Sequence, residues 1–201
     1  MGNANGSSSD RLAVAALSQV ISSKRPELMS LRASLTLAAS KHEGSTPKVK
    51  CLRKDLESAI KACNIEENDA EIFGKMFTLF DKTGGGKVDY RELLCGFSPL
   101  VNETLHDRLL LAFELVDEQG KGFVTKIEMR FILSSMNNTC NFLSDPTLDV
   151  DQIDELVESL FISTQDSGDG AESFGYFDNI NLLAEHPIFD AFLRSAELPE
   201  R

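Results

Sequence analysis

Two stretches of this chain follow one plan. Ile72, Phe73, Met76, Phe77 and Phe80 recur at helical spacing and stop at Asp81, where the twelve-residue segment DKTGGGKVDYRE begins. After it, Leu93, Leu94 and Phe97 resume a helix that Pro99 ends. The plan repeats 36 residues later: Leu105, Leu109, Ala112, Phe113 and Val116 stop at Asp117, DEQGKGFVTKIE follows, and Ile127, Phe131, Ile132 and Met136 resume. A short helix with one apolar stripe needs a neighbour to cover it, so each helix-loop-helix unit must pack on others of its kind.

The remaining sequence extends this plan in both directions. Leu12, Ala15, Ala16, Gln19 and Val20 are spaced for a short helix capped at Ser9 or Asp10. A second helix is predicted over 27–41, with Leu28, Leu31, Leu35 and Ala38 on one face, until Gly44 and Pro47 interrupt it. Leu52, Leu56, Ile60 and Cys63 predict a third, and Val49 is the expected short strand facing Val88. Beyond a polar linker, Ile153, Leu156, Val157, Leu160 and Phe161 lead into STQDSGDGAESFGYF. With Gly170 as its central glycine, Gln165, Ser167, Asp169, Ser173 and Tyr176 take the ligand positions of a fourth loop and Glu172 the usually apolar eighth. HPIFDAFLRSAE predicts a last short helix presenting Ile188, Phe189, Phe192 and Leu193.

The expected fold is all-α, with four helix-loop-helix units in two lobes and short β pairings between loops. The expected divisions are 1–26 (polar tail and short helix), 27–100 (first pair), 101–184 (second pair) and 185–201 (terminal helix and tail). Thirteen phenylalanines, two tyrosines and no tryptophan fit as core filler.

A formal charge of -12 over 201 residues argues against nucleic acid and favours a basic or amphipathic protein segment as partner. Cys51, Cys63, Cys95 and Cys140 form no CxxC pair, which suggests a reduced, cytosolic chain with buried thiols. No signal peptide or spanning segment is legible, so the chain is expected to be soluble. Gly2 could accept a myristoyl group once Met1 is removed, although Gly6 stands where Ser or Thr is usual; a membrane partner is expected only if Gly2 is acylated. His42, His106 and His186 are dispersed, and neither HExxH nor a phosphate-binding loop occurs, so no enzyme chemistry is indicated.

Calcium takes about six to eight oxygens, drawn in such a loop from positions one, three, five, seven (carbonyl), nine and a bidentate Glu at twelve, with Gly at six. The loop from Asp81 supplies Asp81, Thr83, Asp89 and Glu92, and Gly86 at the turn, but Gly85 leaves position five without a side chain. The loop from Asp117 supplies Asp117, Gln119 and Glu128, with Gly122 at the turn, and places Lys121 at position five, pointing toward the metal position. Calcium binding is therefore expected to be weak, at about millimolar, or absent.

These two in-frame loops, with FTLFDKTGGGKVDYRELLCGF and FELVDEQGKGFVTKIEMRFIL around them, resemble the EF-hand superfamily. The layout is similar to the neuronal calcium sensor and calcineurin B group, and to calaxin-like EF-hand proteins of ciliary outer dynein arms. NLLAEHPIFDAFL is similar to the terminal helix of these proteins. The resemblance implies a non-enzymatic adaptor or regulatory subunit, cytoplasmic or axonemal, that holds a partner's amphipathic helix. Phe73, Met76, Phe77, Phe131 and Met136 would line the groove, with sealed core as the competing expectation for each. The partner would be axonemal or dynein-associated in the calaxin-like case and a phosphatase helix in the calcineurin B-like case. A calcium sensor with one or two low-affinity sites is the alternative.

Overall fold

A computed structural model describes residues 13–41, 49–164 and 173–187. The chain runs α1 (Ala13–Ser18), α2 (Arg25–Ser40), β1 (Lys50–Leu52), α3 (Arg53–Ala62), α4 (Glu67–Phe80), β2 (Lys87–Asp89), α5 (Tyr90–Phe97), a 3-10 turn (Ser98–Leu100), α6 (Leu105–Val116), β3 (Phe123–Thr125), α7 (Lys126–Phe142), α8 (Val150–Thr164), β4 (Ser173–Gly175) and α9 (Tyr176–Ala184). The predicted 186–197 helix lies mostly outside the described residues, as do Gly2 and the interruption at Gly44 and Pro47.

Side chains at the helix starts explain why the helices begin where they do. Glu27 Oε2 accepts the Lys24 N–H at 3.1 Å, and Asp55 Oδ2 accepts the Leu52 N–H at 2.8 Å. Thr104 Oγ1 accepts the Asp107 N–H at 3.2 Å. Thr125 and Glu128 exchange bonds, Glu128 N–H to Thr125 Oγ1 at 3.2 Å and Thr125 N–H to Glu128 Oε2 at 2.8 Å, closing a reciprocal cap on α7. Pro99 sits in the 3-10 turn that ends α5.

Two antiparallel strand pairs join the units, β1 with β2 and β3 with β4. Cys51, not Val49, stands opposite Val88. Val49 precedes the strand and accepts the Tyr90 N–H through its carbonyl at 3.0 Å. The prediction slipped by two residues because positions two apart share one face of a strand, and both side chains are buried. In the second pair Val124 faces Phe174.

One apolar cluster extends from Val14 to Leu183. Phe73 stacks on Phe97 with ring centroids 3.9 Å apart, and Phe113, Phe161, Phe174 and Tyr176 form a second aromatic group. Fully burying one such ring contributes roughly 1.5–3 kcal/mol, against about 0–1 kcal/mol for exposed ion pairs such as Lys75 with Glu71. Packing therefore holds the helices. α5 lies against α7, and Gly96 lets it approach: a Cβ there would stand 2.5 Å from Phe80 Cζ and 2.8 Å from Thr139 Oγ1.

Two buried carboxylates tether the amino-terminal segment. Asp145, between α7 and α8, accepts the Val14 N–H at 2.8 Å. Asp69, in the first turn of α4, accepts the N–H of Ser23 at 2.6 Å and its hydroxyl at 2.5 Å. Neither anchor was anticipated from periodicity. Of the cysteines, Cys51, Cys95 and Cys140 are buried and Cys63 is half-buried; burial pushes the Cys51 and Cys140 thiols up to about 12, so they are inert fillers. Among the described residues no helix is long and apolar enough to cross a membrane.

Replacing Gly96 with Ala forces backbone or ring movement at the α5–α7 contact. Urea unfolding of Gly96→Ala is expected to show a loss of about 1–3 kcal/mol, and an unchanged midpoint would contradict that close approach.

Candidate cation-binding loops

The loop after α4 is built around one carboxylate. Asp81 Oδ1 accepts the Gly85 N–H at 2.9 Å, and Oδ2 accepts the Gly86 N–H at 2.8 Å. Gly84 and Gly86 have φ of 65° and 68°, the left-handed region, whereas Gly85 does not. Two of the three consecutive glycines are thus demanded by backbone geometry.

The other acids of this loop have separate employment. Asp89 caps α5 through the Arg91 N–H at 2.9 Å and pairs with the Arg91 guanidinium at 3.0 Å. Glu92 pairs with Lys82 at 3.2 Å and accepts Asn138 Nδ2 at 3.4 Å. Thr83 Oγ1 lies 3.5 Å from Asp81 Oδ1.

The loop after α6 repeats the frame. Asp117 Oδ2 accepts the Gly122 N–H at 2.7 Å, and Gly120 and Gly122 take φ of 63° and 79°. Glu128 is committed to the α7 cap, and Gln119 is exposed. Lys121, expected to point at the metal position, lies with its ammonium 5.9 Å from the Phe123 ring centroid. A cavity of about 230 Å³ is bounded by Asp117, Gln119 and Glu128, with Arg91 and Lys121 also on its wall. Glu118 lines it as well, so the two cations offset part of the charge of three carboxylates and weaken the attraction for a divalent ion.

The fourth loop corrects the sequence reading. Because Phe174 faces Val124, Phe174 and not Glu172 holds the eighth position. α9 starts at Tyr176 as α5 starts at Tyr90, so Tyr176 is the tenth residue of its loop, and the exposed Asp178 the twelfth. Gln165, Ser167 and Asp169 lie outside the described residues.

Tyr176 then acquires a role that its sequence position did not suggest. Its hydroxyl donates to Asp117 Oδ2 at 3.0 Å. Burial alone would raise the Asp117 carboxyl, but the N–H groups of Lys121 and Gly122, the Tyr176 hydroxyl and the Gln119 N–H outweigh it and hold it below the usual range. Burial is likewise the main cause that pushes the Tyr90 phenol up to about 12.

As arranged, the loop acids are engaged by protein groups. Among the described residues no three His, Cys, Asp or Glu side chains gather where one ion could reach them. The predicted groove residues are also occupied: Phe73, Met76, Phe77 and Met136 are at most 3% exposed, while Phe131 is half-buried under the Arg91 guanidinium at 5.3 Å.

A carboxyl held below its unfolded value stabilises the fold at neutral pH, and that contribution disappears as pH falls through the folded value. In chelator, the urea stability gap between the natural chain and Asp117→Asn should therefore close as pH is lowered from neutral into and below the ordinary aspartate range. A gap independent of pH would contradict the charged bonding at Asp117.

No protein-family model matches the chain. It is 39% identical over 66 residues to a calcium and calcium/calmodulin-dependent serine/threonine-protein kinase of Lotus japonicus, covering 33% of this chain and 13% of the kinase. That match is to the EF-hand, calcium-binding portion rather than to a catalytic domain. Calcium-binding protein NCSA of Dictyostelium discoideum is 36% identical over 61 residues, 30% of this chain and 33% of that protein. A recoverin family protein of the same organism is 25% identical over 151 residues, 69% of this chain and 66% of that protein. The chain thus spans about one eighth of the kinase length and a third of NCSA. None of these similarities singles out the calaxin-like or calcineurin B-like groups. Paired helix-loop-helix geometry and these similarities together identify the chain as a homologue of EF-hand calcium-sensor proteins.

Proposed function

We propose that the chain is a calcium-binding regulatory protein whose loops after α4 and α6 take the ion at low affinity. The observation that carries this reading is the pair of retained frames, Asp81 on Gly86 and Asp117 on Gly122, in a homologue of calcium-binding proteins. Asp81, Thr83, Asp89 and Glu92 would serve the first site, and Asp117, Gln119 and Glu128 the second. An ion would have to compete with the bonds these acids already make, which supports an affinity near millimolar. The pairs 27–100 and 101–184 would be the regulatory units.

A second reading is favoured by the prior commitment of the loop acids: an adaptor that holds a partner's amphipathic helix independently of calcium. Since Phe73, Met76, Phe77 and Met136 are sealed, docking on them would require the helices to part. Axonemal or dynein-associated, phosphatase and, through acylated Gly2, membrane partners belong to this reading. Recovery of one of these classes with the protein from its native cell would choose among them.

Calorimetric calcium titration separates the two readings. Saturable heat at about millimolar calcium or below, weakened in Glu92→Gln, is the expected result. No heat in either protein would overturn the calcium reading and leave the adaptor.

A further inference from the structure

The start of the loop after α6 is gripped by three other elements. From α9, the Tyr176 hydroxyl donates to Asp117 Oδ2, the same oxygen that takes the Gly122 N–H, while the Tyr176 N–H donates to the Gly122 carbonyl at 3.2 Å. From α5, the Tyr90 hydroxyl donates to Glu118 Oε1 at 2.7 Å and accepts Thr36 Oγ1 at 3.1 Å. From α2, the Arg32 guanidinium donates to the carbonyls of Glu114 and Asp117, and Arg25 pairs with the Glu114 carboxylate. Both tyrosines of the chain hold the tenth position of their loops, and both aim at consecutive acids of a different loop.

We infer that Tyr176 is a positioning residue that holds Asp117 on the Gly122 amide and thereby lowers the affinity of this loop for a divalent cation. The inference rests on the calcium-binding reading above. The charge that an ion at position one would draw on is already engaged by a phenol. The ring cannot readily swing away. It is 1% exposed, stacked on Phe113 with centroids 5.3 Å apart and packed on Phe177 at 4.5 Å. A hydrogen bond to an ionised acceptor in a half-buried position is among the stronger ones, so an ion that displaces it loses part of its binding energy.

Tyr90 provides an internal control. It makes the same kind of bond, but to Glu118, which holds position two and is not a ligand position. Replacing either tyrosine by phenylalanine keeps the ring and removes only the hydroxyl.

The experiment uses the full chain. In calcium titrations, Tyr176→Phe is expected to bind roughly tenfold tighter or more than the natural chain, as loss of one charge-assisted bond implies. Tyr90→Phe should leave affinity unchanged, and adding Glu128→Gln to Tyr176→Phe should remove the gain. Equal affinity in the natural chain and Tyr176→Phe, or an equal gain in Tyr90→Phe, would overturn the inference. A second arm needs no ion: in chelator, a double-mutant cycle on urea unfolding between Tyr176→Phe and Asp117→Ala should be non-additive, and additive losses would overturn the bond itself. If no variant takes calcium, the calcium reading of this loop falls, and the role in affinity with it. The cycle reports separately on the bond.

Discussion

The carboxylate of the first loop residue, seated on the amide of the sixth, is the interaction from which the rest of the molecule follows. Asp81 on Gly86 and Asp117 on Gly122 turn the chain tightly enough that the eighth residue can pair with a strand of the neighbouring unit. That pairing sets where α5 and α7 leave their loops, and hence where Gly96 meets Phe80 and Thr139. A left-handed backbone at Gly84, Gly86, Gly120 and Gly122 is the local condition for these turns. Each turn is closed by hydrogen bonds within the protein.

Electrostatics decides how much binding capacity the frame retains. The acids are abundant, but those nearest the loops are each engaged: Asp89 by Arg91, Glu92 by Lys82, Glu128 by the α7 cap and Asp117 by Tyr176. Arg91 and Lys121 add positive charge to the cavity wall beside Asp117. The net charge of -12 therefore says little about these loops, because Arg91 and Lys121 offset part of the charge of Asp117, Glu118 and Glu128 on this wall. Elsewhere the surplus acid serves structure: Asp154 and Glu158 on α8 pair with Arg130 and Lys126 on α7.

Much of this was legible in the sequence, and the gaps have physical reasons. Helical periodicity and the phenylalanine-ended stripes marked the helices around both loops, since a 3.6-residue period repeated over several turns has few alternatives. Strand register was less secure. A slip of two residues keeps the same pleat face, and so the sequence favours Val49 for the place that Cys51 holds. In the last loop spacing alone centres the turn on Gly170 and puts Tyr176 two positions late. The pairing of Val124 with Phe174 instead makes Tyr176 the tenth residue, on Asp117. Asp69 and Asp145 carry no sequence signal, because burial by a distant segment leaves no periodic trace.

The central claim is that the first acid of each loop, Asp81 or Asp117, holds the loop frame by accepting the amide of the sixth residue. Amide hydrogen exchange of Gly86 and Gly122, followed residue by residue in chelator, tests this most directly. Both amides are expected to be protected relative to an unstructured chain, with Gly122 losing protection in Asp117→Ala and Gly86 in Asp81→Ala. Exchange at unstructured rates in the natural chain, slowed only when calcium is added, would contradict it.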